Sequence, residues 1–271
     1  MKRTLGLTLL LFATLFSCMR QEKPSRAESV MWEHPDSALS ILRSMPQSSL
    51  SIGKNYATWA LLLAQARDKV YGKRLPDSLN IPSSDKLVQD AMDYFEKEGD
   101  LKRMAQTYYY KGQLLKDQKK ITEAMPFFLK SKEMMTKLDE PLFTYLICQS
   151  LGNMYRYQDL YEESLVQLKD AYQYALRSGN GERISYALSE LGRTYVHKNE
   201  MDSALFYFGK SLDNAQRLGN IELEAMAMGE LGVVYNKLSQ GEKALHYTRK
   251  ELDLCLQISS LHKLPQVYYK I

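Results

Sequence analysis

Apolar and polar positions along the chain repeat at a fixed interval of forty residues. From residue 101 onward, apolar residues recur at spacings of three and four over two stretches per interval, with short polar turns between the stretches. This pattern predicts two helices per interval, in four regular units at 101–140, 141–180, 181–220 and 221–260. A constant period of this length is typical of an array in which each unit packs on its neighbours without one central core.

Glycine marks the same place in every unit, at Gly112, Gly152, Gly192 and Gly232. The residues three, twelve and sixteen positions after these glycines are Leu115, Tyr155, Tyr195 and Tyr235; Ala124, Ser164, Ala204 and Ala244; and Phe128, Leu168, Phe208 and Thr248. Glycine within a helix costs roughly 1 kcal/mol relative to alanine, so its recurrence requires a structural reason. We expect a close approach of the paired helix, opposite the small residue twelve positions on.

These columns resemble the tetratricopeptide repeat, in which a Leu-Gly pair and an aromatic residue precede a small residue and a second aromatic residue. The resemblance covers roughly residues 26–271. It implies an all-α fold, a right-handed superhelical solenoid of antiparallel helix pairs. The family repeat usually has 34 residues, so a period of forty indicates a variant with longer helices. Among such proteins, the chain is similar to bacterial repeat lipoproteins and to the sensor regions of envelope regulators.

Two further columns of turn-forming residues predict where the helices end. The turns between units fall at Gly99, Asp139, Gly179, Gly219 and Ser259, each followed by a candidate helix cap, Asp100, Glu140, Asn180, Asn220 or Ser260. The turns inside the units fall near Lys119, Asp159, Asn199 and Ser239.

The flanks of the regular array are less regular. Residues 26–54 predict a shortened helix pair and a link, and 55–100 predict an irregular first repeat with an insertion at 73–84, where prolines exclude a continuous helix. Residues 261–271 have the spacing of a further first helix. Their abrupt end suggests a piece of a longer protein, and the alternative is a half-helix that caps the stack.

The N-terminus has the composition of a targeting segment. Lys2 and Arg3 precede a twelve-residue apolar run, which indicates a signal peptide over residues 1–17. The run ends at Cys18 and resembles a bacterial lipobox, which implies an acylated (palmitate-type) cysteine followed by a polar tether over residues 18–25. We expect an anchor in the bacterial cell envelope, with the periplasmic face of the outer membrane favoured. Plain secretion with an incidental cysteine is the alternative.

Charge and composition exclude several classes of function. The formal charge is +4, and loss of residues 1–17 would leave +2, which does not favour nucleic-acid binding by this chain. The four histidines show no metal-type spacing, and no phosphate loop or activated nucleophile is recognisable. We therefore predict no enzyme, no cofactor and no metal site. Cys148 is expected to be a buried small apolar residue.

Helical geometry places a set of polar positions on one face of the first helices, and in the family this face lines the concave groove. The predicted peptide-binding residues are Gln106, Tyr109, Gln113, Lys116, Gln149, Asn153, Arg156, Tyr157, Tyr186, Arg193, His197, Asn236 and Lys237. Amide, tyrosine and arginine side chains with few acids suit a peptide backbone and an acidic group. We expect glutamate at both Arg156 and Arg193 to weaken binding of an acidic partner and to spare the fold. An ordinary solvated surface is the alternative.

Two functions fit the sequence. The first is a lipid-anchored envelope scaffold that binds a protein or extended peptide, including a partner with acidic groups. The second is the extracytoplasmic sensor portion of a signalling or transcription-regulating protein, a hypothesis motivated by the end of the chain at Ile271. An enzyme with a site built from loops such as 73–84 is a remote third possibility.

Overall fold

The computed structural model describes residues 24–45, 53–71 and 84–258, and no strand occurs among them. Several predicted features lie outside this described part: the N-terminal targeting segment, Cys18, most of the insertion at 73–84, the last predicted turn and cap at Ser259 and Ser260, and residues 261–271. Residues 24 and 25, at the end of the predicted tether, are already helical. The helices are α1 (24–30), α2 (Pro35–Arg43), α3 (Lys54–Tyr71), α4 (Ser84–Glu98), α5 (Leu101–Asp117), α6 (Ile121–Lys137), α7 (Pro141–Tyr157), α8 (Tyr161–Arg177), α9 (Gly181–His197), α10 (Met201–Leu218), α11 (Ile221–Lys237) and α12 (Gly241–Gln257).

The predicted turn columns are confirmed by the backbone. Positive φ values between +54° and +71° occur at Gly99, Asp139, Gly179, Gly219, Lys119, Asp159, Asn199 and Ser239. Three of the predicted caps accept a hydrogen bond from the third helical residue through their side chains: Asp100, Asn180 and Asn220. Glu140 does not cap α7 in this way; Pro141, whose missing N–H costs little at that position, begins the helix instead.

The chain divides into two compact units, the first ending at Met134 and the second beginning at Met135. In the first unit, each of the helices α2, α3 and α4 packs against the next along the chain. The Trp59 indole of α3 donates a hydrogen bond to the Leu42 carbonyl (3.0 Å), and the Ser131 hydroxyl of α6 donates to the Ala105 carbonyl of α5 (2.7 Å). These bonds satisfy backbone oxygens in the buried interior.

The second unit contains three helix pairs in which α7, α9 and α11 are the first helices and α8, α10 and α12 are the second helices. From α7 to α11, each helix packs against the next along the chain, and α9 also contacts both of the other first helices. The interior is a series of small apolar clusters, among them Cys148 with Ala171 and Ala187, as expected for an array without a central core. Cys148 is fully buried, as the sequence predicted.

The glycine column lies at a close contact between paired helices. The residue twelve positions on takes part, as predicted: a Cβ atom on Gly152 would lie 3.3 Å from the carbonyl oxygen of Ser164. A longer side chain comes closer still. A Cβ atom on Gly192 would lie 2.5 Å from Phe208, and one on Gly152 would lie 2.6 Å from Leu168. The tightest contact is therefore made by the residue sixteen positions on. A long side chain on a helix leans towards the helix N-terminus and so reaches the facing glycine.

None of the helices in the described ranges combines the length and the apolar character needed to cross a lipid bilayer.

Candidate functional site

The second unit contains a cavity of about 390 Å³ beside its first helices. Ligand pockets in proteins range from roughly 300 to 1,000 Å³, so this volume suits a side chain or a small molecule. The lining residues are Arg156, Arg193, Val196, His197, Phe208, Ala225, Met226, Gly229, Glu230, Val233, Glu251 and Cys255.

Helical spacing explains why these side chains meet. On α9, Glu190, Arg193 and His197 are three and four residues apart, so they share one face. On α11, Met226 and Glu230 are four apart and likewise share a face. Because α9 contacts α11 directly, the two faces converge on the cavity.

Four charged side chains link α7, α9 and α11 in an alternating series. Arg156 Nη1 lies 2.7 Å from Glu190 Oε2, and Arg193 Nη1 lies 2.8 Å from Glu190 Oε1. Arg193 continues to α11, with Nη2 2.6 Å and Nε 2.7 Å from Glu230 Oε1. Each first helix of the second unit therefore contributes at least one charge to a single ion-pair network.

The network is mostly buried, which gives it a structural role. The side chain of Arg156 is 8% exposed and that of Glu190 is 10% exposed, whereas Arg193 retains 41% exposure. Removing one partner of a buried ion pair typically costs about 3–5 kcal/mol, because the other charge is left uncompensated. The expectation that glutamate at Arg156 and Arg193 would spare the fold is therefore wrong: it would place two more carboxylates against Glu190 and Glu230.

Glu230 is the least satisfied member of the network. Its Oε2 atom is shielded from solvent and has no hydrogen-bond partner among the described residues. Burial raises the pKa of Glu230, although the nearby Arg193 guanidinium opposes the rise. The Ser189 hydroxyl also favours the ionised form, but its hydrogen bond in this structure is with Ser211 Oγ at 3.1 Å.

A third carboxylate reaches the cavity from α12. A Cβ atom on Gly229 would lie only 2.4 Å from Glu251 Oε1, so the carboxylate of Glu251 rests over a position that carries no side chain. Arg156 and Arg193 are paired with Glu190 and Glu230, and the carboxylate of Glu251 also lines the cavity. The expectation of a groove with few acids is wrong at this place, because the guanidiniums that were predicted to hold an acidic group are already paired.

The structure brings only part of the predicted binding set together. Arg156, Arg193 and His197 line the cavity, and Lys237 lines a second one near Asn199 and Asp202. The other predicted residues of the second unit lie elsewhere on its first helices: Tyr157, Tyr186 and Asn236 are exposed, whereas Gln149 and Asn153 are half-buried. The Asn153 Oδ1 atom is buried and has no partner among the described residues.

The predicted residues of α5 belong to the first unit and are largely engaged in its own packing. Gln106 and Tyr109 are each only 4% exposed. Gln113 Nε2 donates to the Tyr109 hydroxyl at 2.6 Å, and Lys116 Nζ donates to Gln113 Oε1. Gln106 and Tyr109 are therefore poorly placed to contact a partner in this conformation.

The residues that sequence reasoning missed are Glu190, Glu230 and Glu251. Glu190 and Glu230 each lie two positions before a column glycine, where the other units have Tyr110 and Ser150. That change of residue type within one column was the available sign of a local polar contact. Glu251 had no such sign.

Within the described ranges, no group of three or more histidine, cysteine or acidic residues has a geometry that could hold a metal ion.

Comparison with known proteins gives structural matches only. No protein-family model matches the sequence, and no curated protein sequence matches significantly. The structure of the apo form of RapI superposes with a TM-score of 0.75 at 14% identity, covering 93% of this chain and 69% of RapI. PilW, described as a widely conserved type IV pilus biogenesis factor, gives a TM-score of 0.61 at 17% identity, covering 92% of this chain and 98% of PilW.

A third match carries a description of its repeats. It is a signal-transduction ATPase (STAND protein) from Pyrococcus horikoshii, described as having a tetratricopeptide repeat sensor, with a TM-score of 0.68 at 17% identity. The match covers 92% of this chain and 37% of that protein. The chain has a tetratricopeptide-repeat fold. The all-α solenoid of antiparallel helix pairs that the sequence predicted is thereby confirmed. Matches at such low sequence identity show the fold of this repeat protein, and its function has to be inferred from the residues on its own surface.

Proposed function

We propose that this tetratricopeptide-repeat protein is a lipid-anchored scaffold of the bacterial cell envelope that binds a protein or an extended peptide. The binding surface is the first-helix face, which we define as the exposed side chains of Tyr157, Tyr186, His197, Asn236 and Lys237 together with the adjacent cavity. The observation that carries the proposal is that the first helices of one unit carry exposed aromatic and polar groups and also border a cavity of about 390 Å³, which His197 lines.

The exposed aromatic residues favour a protein partner. Tyr157 is 77% exposed and Tyr186 is 43% exposed, on successive first helices. Tyrosine supplies a large apolar ring and a hydroxyl on a stiff side chain, and it is enriched where proteins bind one another. Binding is favoured over catalysis because the arginines at the cavity are held in ion pairs with neighbouring carboxylates, which fixes their positions.

Position-resolved crosslinking tests the binding surface. A photoreactive amino acid at Tyr186 should form a discrete crosslinked product in cells, since this position lies on the first-helix face. The matched control is Phe206 on the second helix α10, which is 55% exposed and so at least as accessible. Equal crosslinking at both positions, or crosslinking at Phe206 alone, would contradict the proposed surface.

The membrane anchor rests on the sequence of residues 1–18. We expect Cys18→Ala to move the protein from the membrane fraction to the soluble periplasmic fraction, because two or more acyl chains give firm membrane attachment and their loss removes it. The control is Ser17→Ala, which keeps a small residue before the cysteine and should leave the protein in the membrane fraction. Mass spectrometry of the mature N-terminus should show an acylated cysteine, and membrane retention of Cys18→Ala would refute the anchor.

A sensor portion of a signalling protein is the second candidate. It is favoured by the similarity to the P. horikoshii protein, whose repeats are described as a sensor and of which this chain matches about a third. The two candidates differ in the intact mass of the native protein. A product that continues beyond residue 271 into an apolar stretch of about twenty residues would favour the regulator. A product that ends at residue 271 would favour the scaffold.

A further inference from the structure

The cavity of the second unit combines a balanced charge with an apolar wall. Its charged lining consists of two arginines and two glutamates: Arg156, Arg193, Glu230 and Glu251. Its apolar lining includes Val196, Phe208, Ala225, Met226 and Val233. Because the formal charges cancel when the lining histidine is neutral, no excess charge calls for a charged guest. The apolar side chains favour a guest that is itself apolar over most of its surface.

One carboxylate oxygen at the cavity is an open hydrogen-bond acceptor. Glu230 Oε1 accepts both hydrogen bonds from Arg193, and Glu230 Oε2 has no hydrogen-bond partner among the described residues. The side chain of Glu230 is 12% exposed, so bulk water compensates this oxygen poorly. Oε2 is shielded in this conformation, but the last torsion of a glutamate side chain is broad, and the carboxylate can rotate to meet a donor in the cavity. A guest with one N–H or O–H group would satisfy it.

Two further lining side chains favour an aromatic guest. The side chain of Arg193 is partly exposed beside the cavity, and a guanidinium is attracted to the face of an aromatic ring, most strongly to that of tryptophan. Met226 also lines the cavity, and a thioether sulfur makes favourable contacts with aromatic rings. A ring therefore finds an apolar wall, a cation and a sulfur atom in one place.

We infer that this cavity binds the side chain of a tryptophan from the partner, with the ring on the apolar wall and the indole N–H donating a hydrogen bond to Glu230 Oε2. The indole N–H is a donor without an acceptor, so it satisfies the open oxygen and brings no further polar atom that would need a partner. Tryptophan is also enriched among the side chains that carry most of the energy of an interface when they enter a pocket. This inference rests on the proposed function, and it replaces the acidic partner group expected from the sequence by an uncharged aromatic one.

Short peptides on the purified protein provide the test. The probes are acetylated, amidated pentapeptides with two glycines on each side of tryptophan, 3-benzothienylalanine or tyrosine, titrated by NMR. Benzothienylalanine has nearly the shape of tryptophan, with a sulfur atom in place of the N–H group. We expect the tryptophan peptide to bind roughly tenfold more tightly than the benzothienylalanine peptide, since a hydrogen bond to a charged group is worth a factor of roughly ten or more. The indole N–H proton resonance should move downfield as the peptide binds.

One pair of variants locates the site. Val233 lines the cavity and is 37% exposed, so Val233→Phe should keep the fold and occupy part of the cavity. It should weaken binding of the tryptophan peptide by roughly tenfold, because the ring loses its place on the apolar wall. The control is Val166→Phe, the same change on the second helix α8, where Val166 is 57% exposed. This control should leave the affinity unchanged.

A second pair of variants tests the hydrogen bond. Glu230→Gln removes the charge of the acceptor, so the preference for tryptophan over benzothienylalanine should fall from roughly tenfold to roughly threefold or less, since hydrogen bonds between neutral groups are about half as strong. Glu163→Gln, an equal change of charge at an exposed position of α8, should leave the preference unchanged. If Glu230→Gln does not fold, as judged by circular dichroism, the two peptides and Val233→Phe still decide the inference.

Any of five outcomes would overturn the inference: equal binding of the tryptophan and benzothienylalanine peptides, tighter binding of the tyrosine peptide, undiminished binding by folded Val233→Phe, an unchanged preference in folded Glu230→Gln, or no binding of the tryptophan peptide at roughly 10 mM. The proposed function is tested separately by crosslinking at Tyr186. Crosslinking there without tryptophan binding would reject the tryptophan site and keep the scaffold. Tryptophan binding without such crosslinking would keep the site and reject the scaffold.

Discussion

Replacing Gly192 by alanine tests the packing of the repeat, because a second glycine on the paired helix provides a matched control. An added Cβ atom at Gly192 would lie 2.5 Å from Phe208, which is 2% exposed and has little room to move. At Gly209, in α10, nothing lies within 4 Å of the added atom. Both glycines are inside helices, so both substitutions gain the same helix propensity.

The magnitudes have opposite signs. Alanine gains roughly 1 kcal/mol over glycine within a helix, so Gly209→Ala should be stabilising by about that amount. Overpacking of a well-filled core costs roughly 1–3 kcal/mol, and the overlap at Gly192 is severe, so Gly192→Ala should be destabilising by about 1–2 kcal/mol after the same gain. The difference between the variants is then about 2–3 kcal/mol, or roughly 5–10 °C in Tm for a chain of this size.

A double-mutant cycle locates the cause. Thermal and urea unfolding are followed by circular dichroism for Gly192→Ala, Phe208→Ala and the double variant. Removal of the phenyl ring should relieve the overlap, so the cost of Gly192→Ala should nearly vanish in the Phe208→Ala background, with a coupling of about 1 kcal/mol or more. An increase in Tm for Gly192→Ala equal to that of Gly209→Ala would refute the reasoning.

Three further predictions concern charge, titration and backbone conformation. Glu190→Ala leaves the buried Arg156 without a carboxylate and should lower the free energy of unfolding in urea by about 3–5 kcal/mol. The control, Glu163→Ala, should change it by less than about 0.5 kcal/mol. Similar unfolding midpoints for the two variants would contradict the buried network. Burial and a hydrogen bond to Glu96 raise the pKa of Tyr108 to about 12, so the folded protein holds this proton more tightly than the unfolded protein. The free energy of unfolding should therefore fall as the pH rises from about 10 to 12. This loss should be smaller in Tyr108→Phe. Ser239 has a φ of 59°, a backbone conformation that is less favourable for other residues than for glycine. Ser239→Gly should therefore raise the free energy of unfolding by up to about 1 kcal/mol. The control, Ser178→Gly, has a right-handed backbone and should give no gain.

The repeat and its turns were predictable because each depends on local residue type. Asn199 and Ser239 fall at the turn position in a column of forty, and a left-handed backbone is required there. The identity of the contact opposite Gly192 was less accessible, because it depends on how far the Phe208 ring extends along its helix. Column spacing gives the order of residues along a helix but not the reach of their side chains.

The sequence predicted which helix face carries the candidate site but not the charge of that site. Helical geometry placed Arg193 and His197 on the first-helix face, and both line the cavity. The charge of the site was not predictable, because Arg156 finds Glu190 and Arg193 finds Glu230 across 34 and 37 residues of sequence. Such pairs depend on the close packing of neighbouring first helices.

The central claim is that the first-helix face binds the partner. Its most direct test is the affinity of two matched variants, each with four alanine substitutions, for the partner that crosslinking at Tyr186 identifies. One variant replaces Tyr157, Tyr186, His197 and Asn236; the other replaces four exposed second-helix residues, Val166, Leu176, Phe206 and Leu256. Interface aromatic residues carry a large share of binding energy, so the first variant should raise Kd by roughly tenfold or more while the second leaves it unchanged. An unchanged Kd for the first variant, or a larger loss for the second, would contradict the account.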